Sequence, residues 1–390
     1  MKIPKYILPT IVISQFCSTS LWFAGNGVMN NLITAFNLQE NALGNLTSAV
    51  QFGFIAGTLV FALFTIADRF SPSRVFFFSA IFGAFFNIGL VIENQTLFSL
   101  VIFRFFTGFF LAGIYPVGMK IATDYYDKGL GKSLGFLVGA LVIGTALPHL
   151  LKDVLVDYSW KSVLISTSFL ALLGGILMLI LVKDGPHRKQ SQQFEFTACF
   201  KVFKNLKFRK AAFGYFGHMW ELYTFWAFVP VLLSTYRKLH LNVSFNVSIL
   251  SFLIIAIGGL SCVLGGYVSE KLGVQKTASN FLFLSCFCCL ISPLMFQITN
   301  QYLFISFLIF WGMVVIADSP LFSTLVAKNA PSKNKGTALT IVNCIGFAIT
   351  IVSILIINHI KTTTDSNAIY MVLAIGPVLG LLALKTKKWV

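Results

Sequence analysis

The sequence predicts an all-α membrane protein with twelve transmembrane helices in two pseudo-symmetric six-helix bundles. Three observations predict it: an apolar composition, twelve apolar stretches of membrane-crossing length, and one long polar segment that divides them six and six. Of the 390 residues, 57% are hydrophobic and 11% are charged, and the mean hydropathy is +0.83. A water-soluble domain needs more charge than this on its surface. At roughly 20 apolar residues per crossing plus short loops, the chain accommodates about twelve crossings and leaves no room for a large soluble domain.

The apolar stretches fall near 6–36, 43–67, 75–93, 97–123, 130–152, 160–183, 209–236, 244–269, 276–296, 302–327, 335–360 and 367–385. The first follows Met1-Lys2-Ile3-Pro4-Lys5, a start that suits a signal peptide. It runs on through Leu21-Trp22-Phe23 without a small-x-small cleavage site, so it is read as a retained helix. The second and third flank a charged loop at Asp68 to Arg74, and the fourth carries Arg104 in its interior. The fifth has Gly135, Gly139, Gly144 and Pro148, spaced to let helices approach closely and bend. The sixth ends at Lys183, where the long polar segment 184–208 begins. Arg188, Lys189, Lys201, Lys204 and Lys207 with interleaved Phe suit a cytoplasmic linker whose amphipathic helix lies on anionic headgroups. The seventh stretch has His218 and Glu221 near its middle, and the eighth and ninth flank a second charged loop at Glu270 and Lys271. The tenth contains Asp318-Ser319-Pro320, the eleventh Asn343, and the twelfth ends at Lys385. The expected domains are a bundle over 1–183 and a bundle over 209–390, joined by the linker 184–208.

Basic residues near helix ends are retained in the cytoplasm. With a cytoplasmic N-terminus, the 29 Lys and Arg lie at or near cytoplasmic helix ends, except Lys152, Lys161, Arg237, Lys238 and Lys361 outside and Arg104 within a span. Both termini are therefore expected in the cytoplasm, with the chain in a bacterial inner membrane. The net charge of +16 is mostly this topology signal, and no nucleic-acid partner is implied. Six of the seven cysteines lie in apolar runs and Cys199 in the basic linker. Cys286, Cys288 and Cys289 have no His or acid beside them, which points to helix packing and to no metal. Phosphate-cradling, zinc-binding and nucleophile-elbow motifs are absent, so the sequence implies no enzyme and no cofactor.

The second half of the chain repeats the first. A shift of 204 residues places Trp22 on Trp226 and Tyr115-Pro116 on Ser319-Pro320, and a shift of 202 places Asp68-Arg69 on Glu270-Lys271. On these residues the chain resembles the major facilitator superfamily over its whole length. The family's loop Gly-x-x-x-Asp-Arg-x-Gly-Arg-Arg is similar to Asp68-Arg69-Phe70-Ser71-Pro72-Ser73-Arg74, with Phe64 and Ser71 where the glycines stand. The copy from Gly266 to Gly273, with Lys276, keeps both glycines and has Glu270 for the Asp. The resemblance implies that Asp68, Arg69, Arg74, Glu270, Lys271 and Lys120 gate the two bundles by charge-assisted hydrogen bonds; the alternative is a plain pair of loop charges. Arg104-Phe105-Phe106-Thr107-Gly108 resembles the family's Arg-x-x-x-Gly element. Gly144-Thr145-Ala146-Leu147-Pro148 matches its antiporter motif only in part, which weakens drug efflux. The runs from Gly113 to Lys120 and from Gly214 to Tyr223 resemble the bacterial branch grouped with nitrate/nitrite and cyanate permeases. The second and eighth stretches lack the arginines on which nitrate porters rely.

An arginine within a span is costly, so Arg104 is either functional or caps carbonyls of a neighbouring helix. At 1.5 Å per residue from Arg209, His218 and Glu221 lie roughly 13 and 18 Å along the seventh helix, near mid-bilayer, and three apart on one face. A carboxylate there is costly to ionise, so it can bind and release a proton, with His218 as relay or hydrogen-bond partner. The alternative is a static polar contact. Asp318 either serves coupling, pairs with Lys120, or caps the helix that Pro320 breaks. Asn26, Gln51 and Asn343 line a substrate cavity or bond helix to helix. Trp22, Tyr115, Tyr223 and Trp226 are cavity walls or packing residues.

The sequence thus implies a monomeric secondary active transporter working by alternating access, with membrane lipid, a small-molecule substrate and a coupling proton as its partners. Uptake of a small organic or inorganic anion is favoured by Arg104 and Lys120. Proton-driven efflux of amphipathic compounds and a non-transporting receptor of the same fold are the alternatives.

Overall fold

The computed structural model describes residues 3–126, 130–188, 202–331 and 335–385. The centre of the expected linker, with its amphipathic helix and Cys199, lies outside the described residues, as do Lys128 and Lys333. The chain divides into two compact units, Met1–Gln193 and Phe194–Val390.

The first unit holds α1 (Ile7–Thr19), α2 (Ala24–Gly27), α3 (Met29–Ala35), α4 (Ala42–Leu63), α5 (Ile66–Arg69), α6 (Pro72–Ile88), α7 (Leu97–Leu111), α8 (Tyr115–Tyr125), α9 (Leu130–Val154) and α10 (Lys161–Leu181). The second holds α11 (Leu206–Leu239), α12 (Val247–Leu272), α13 (Val274–Gln297), α14 (Gln301–Ala317), α15 (Ser319–Asn329), α16 (Lys335–Thr363), a 3₁₀ helix (Asn367–Ala374) and α17 (Ile375–Lys385).

Among the described residues ten helices are long and apolar enough to cross a membrane, counting α7 with α8 and α14 with α15 as one crossing each. The expected first and seventh crossings fall outside that set, each for a physical reason. The first is not continuous: α1 stops at Thr19 and the helix resumes at Ala24. Thr19 donates to the carbonyl of Gln15 and Ser20 to that of Cys17, local bonds that compete with the helical ladder just where it ends. The seventh, α11, has 34 residues but carries His218 and Glu221 at its centre, which lowers its mean hydropathy. It tolerates them because protein surrounds it: α16, α17 and α15 pack along it, and most of its length is buried.

The fourth and tenth crossings break at matching places. Pro116 stands at the second residue of α8 and Pro320 at the second residue of α15, where a missing N–H costs nothing. Thr96 caps α7 and Asn300 caps α14 through their side chains.

The packing repeats as well. In the first unit α4 lies on α7, α6 on α10 and α1 on α9 and α10. In the second, α12 lies on α14, α13 on the 3₁₀ helix and α17, and α11 on α16 and α17. Some of these contacts set a glycine directly against a carbonyl of the facing helix. A Cβ on Gly108 would stand 2.0 Å from the Val50 carbonyl oxygen, and one on Gly312 would stand 2.1 Å from that of Ile254. Within the fifth crossing, Gly144 is packed against the Thr19 hydroxyl and the Phe16 carbonyl, whereas Gly135 has nothing within 4 Å. Gly135 therefore does not serve the close approach its spacing suggested.

Candidate functional site

The second unit holds a line of buried ionisable groups along α11. His218 and Glu221 are essentially solvent-free, as is Asp318 at the junction of α14 and α15. The sequence spacing suggested that His218 serves Glu221, but the structure partners them separately. His218 Nδ1 lies 2.7 Å from Asp318 Oδ1, an ion pair when both are charged. The pair therefore holds α11 against the break in the tenth crossing.

Glu221 is held by three donors from two other helices. The Trp311 indole N–H donates to Oε1 at 2.6 Å, the Cys289 thiol to the same oxygen at 3.2 Å, and the Ser285 hydroxyl to Oε2 at 2.9 Å. These bonds join α11 to α13 and α14. One residue of the cysteine cluster that sequence reasoning assigned to packing thus serves the carboxylate. Trp311 gave no sequence signal, being one indole in an apolar run, and its ring also packs on Phe225 with centroids 4.5 Å apart.

A stripe of neutral polar contacts joins α11 to α16. Tyr215 donates to Asn343 Oδ1 at 3.0 Å, Thr350 to the Met219 carbonyl at 2.7 Å and Thr224 to Ser353 at 2.9 Å. Asn343 thus acts between helices in this state. Trp226 is buried with its ring 5.3 Å from that of Tyr223, which also packs on Phe347.

In the first unit the focus is the gap between α1 and α2. Arg104, fully buried in α7, donates from both terminal nitrogens to the carbonyls of Leu21 and Trp22, at 3.2 Å for Leu21. Helix breaks inside a membrane need such donors, because no water is present to serve orphan carbonyls. Asn26 donates to Thr47 in α4 at 2.7 Å, and the Trp22 and Phe54 rings lie 4.8 Å apart. Gln51, between Thr47 and Phe54 on the same face of α4, is buried and has no hydrogen-bond partner among the described residues on either side-chain atom. Tyr115 is half-buried at the start of α8.

At one end of the first unit a charged cluster has formed. Asp68 pairs with Lys120 at 2.8 Å, and Lys120 also reaches Asp124 at 3.7 Å. Arg69 donates to the Thr65 hydroxyl at 3.1 Å, and Arg74 is exposed. Arg188 donates to the carbonyls of Asp68 at 2.9 Å and Phe70 at 2.8 Å and pairs with Asp184, which accepts from Ser71 at 2.7 Å. The first residues of the linker are thus laced onto the loop. Sequence reasoning missed Arg188 because one arginine in a basic stretch looks like any other. The repeat residues Glu270 and Lys271 are exposed and carry no such network among the described residues.

Three comparisons bear on identity. The family model for the Major Facilitator Superfamily matches residues 11–354. No curated protein matches the chain. Among solved structures, a mutant of the nucleoside transporter NupG is similar with a TM-score of 0.74 at 15% identity, covering 97% of this chain and 98% of that one. The proton:xylose symporter XylE, bound to 6-bromo-6-deoxy-D-glucose, has a TM-score of 0.73 at 13% identity over 96% and 94%. A bacterial homolog of the human lysosomal transporter Spinster, inward-facing and unoccupied, has 0.66 at 14% over 97% and 94%. At these identities the structural likeness speaks for the fold alone. With a family model matching most of its length, the chain belongs to the major facilitator superfamily and is a multi-pass secondary transporter.

Proposed function

We propose that this transporter couples solute movement to a proton by alternating access, with the second unit carrying the coupling groups. The observation that carries the reading is the buried triad along α11: an acid–imidazole pair, His218 and Asp318, with Glu221 one turn farther on. Buried ionisable groups in a membrane interior are costly and are retained where charge must move. The pair sits on a helix break, so a proton taken up by Asp318 from the charged pair loosens the contact between α11 and that break.

Of the two cations that favoured an anionic solute, Lys120 is neutralised by Asp68 and Asp124, which leaves Arg104. We retain uptake of a small anion as the substrate reading. The runs from Gly113 to Lys120 and from Gly214 to Tyr223 support a place in the branch grouped with nitrate/nitrite and cyanate permeases. The loop cluster around Asp68 is assigned to gating, and the working unit is a monomer in the inner membrane with both termini cytoplasmic. The deciding experiment is accumulation of a panel of labelled anions by purified protein in liposomes under an imposed pH gradient. Accumulation that a protonophore leaves unchanged removes the proton from the cycle.

A further inference from the structure

Pro320 brings no N–H to the helical ladder, so the carbonyl of Ile316, four residues before it, lacks its ladder partner. That carbonyl accepts from the backbone N–H of Asp318 instead. In a membrane the remaining needs of such a break are met by protein, and here α12 meets them. The Cys262 thiol donates to the Ile316 carbonyl at 3.5 Å. The Ser261 hydroxyl reaches the Met313 carbonyl at 2.7 Å and the Gly258 carbonyl of its own helix at 2.8 Å. Both side chains are buried. A Cβ on Gly265, one turn farther along α12, would stand 2.9 Å from the Ala317 carbonyl oxygen. One face of α12 therefore follows the last turn of α14 up to the residue before Asp318.

The matching break in the first unit is closed differently. The offset of 204 residues sets Gly57 and Thr58 against Ser261 and Cys262, and Phe109, Ala112, Ile114 and Pro116 against Met313, Ile316, Asp318 and Pro320. A Cβ on Gly57 would stand 2.2 Å from the Phe109 carbonyl oxygen, so backbone lies on backbone there. The Thr58 hydroxyl has no hydrogen-bond partner among the described residues. Side-chain hydrogen bonds to a helix end can break and re-form as that end swings, whereas a packed backbone contact has no bond to exchange. The break that side chains hold is also the one that carries an ionisable residue, Asp318, where the first unit has Ile114.

We infer that Ser261 and Cys262 are positioning residues for Asp318, a clasp on the end of α14 that opens when the tenth crossing bends. With the clasp closed, the last turn of α14 is tied to α12 and Asp318 is held against His218. A proton taken up by Asp318 weakens its attraction to His218, and the end of α14 then swings from α12, breaking both bonds. The ionisable groups facing Asp318 are His218 and, one turn farther, Glu221 of α11, with the Cys262 thiol of α12. Among the described residues α13 turns its three thiols toward Glu221, and α16 brings no charged group to Asp318. The inference rests on the reading of His218 and Asp318 as the coupling pair.

The test is infrared spectroscopy of the purified full-length protein in liposomes, which needs no solute. A thiol that donates a hydrogen bond has its S–H stretch at lower wavenumber, and the difference spectrum against Cys262→Ala isolates the Cys262 band. That band should lie at the hydrogen-bonded position in neutral buffer and move to the free position on acidification. Asp318→Asn, which cannot carry the charge, should hold it at the free position throughout. Ser261→Ala removes one bond of the clasp and should shift the balance toward the open form by about fivefold, the equivalent of one neutral hydrogen bond. Thr58→Ala should leave the spectrum as in the parent protein. A band that is free already in neutral buffer, one that stays bonded at every pH, or one that Ser261→Ala leaves unmoved overturns the clasp. Flux is read apart from this: accumulation that ignores the proton gradient removes the coupling reading, while a band that still moves with pH leaves the clasp standing.

Discussion

His218 and Asp318, one hundred residues apart in sequence, meet at 2.7 Å where α11 passes the break between α14 and α15. If that contact is the proton-sensitive hinge, its two members fail in the same way. Asp318→Asn and His218→Gln should each abolish pH-driven accumulation in liposomes while sparing exchange down a gradient, which needs only the moving bundles. A double variant no worse than either single one marks them as a unit. Normal accumulation by Asp318→Asn passes coupling to another group.

Glu221 has three donors and, among the described residues, no cation, an arrangement that an amide cannot reproduce. Glu221→Gln turns an amide N–H2 toward donors and should cost about 1–3 kcal/mol of stability. It should also stop accumulation under a proton gradient while exchange continues. Trp311→Phe removes one donor only and should cost about 1 kcal/mol. Thermal melts of both variants, alongside the flux assay, separate bracing from coupling: a stability loss with undiminished accumulation makes Glu221 a structural tie.

Gly108→Ala and Gly312→Ala force a methyl against the carbonyls of Val50 and Ile254. Each should lower stability by about 1–3 kcal/mol and the unfolding midpoint by several degrees. Gly135→Ala and Gly266→Ala, where a Cβ meets nothing within 4 Å, should melt like the parent protein. Equal midpoints across all four variants would mean that the paired glycines are not needed for the crossing.

Asp68 and Lys120 are partly exposed, so their pair should contribute less than about 1 kcal/mol to stability. Asp68→Asn should therefore leave the melting midpoint in place and slow turnover. Arg188→Ala, which frees the Asp68 and Phe70 carbonyls, should slow it too. Unchanged turnover in both variants reduces the cluster to a solvated loop contact.

Reporter fusions after Lys189 and at the C-terminus should both read out cytoplasm, on the strength of the Lys and Arg bias. A periplasmic signal from either one breaks the proposed orientation.

Most of the architecture was readable from the chain because it depends on one-dimensional features. Apolar length marks the crossings, Pro116 and Pro320 mark the two matching breaks, and the offset of 204 residues links Gly108 to Gly312 as it links Trp22 to Trp226. The break in the first crossing was not readable, since Ser18-Thr19-Ser20 is equally at home in an unbroken membrane helix. The partners of His218 and Glu221 were not readable either. Sequence spacing shows which residues share a helix face, and says nothing of which distant helix turns toward that face. Asp318 and Trp311 reach α11 through tertiary packing alone.

The low hydropathy of α11 also bears on how the protein is made. A segment that carries His218 and Glu221 at its centre partitions poorly into lipid by itself, because the polar groups have no partners when it leaves the ribosome. Those partners, Ser285, Cys289, Trp311 and Asp318, are all synthesised later. Biogenesis of the second half is therefore a deferred event, in which the helix made first settles last, once α13 to α15 have arrived to enclose it.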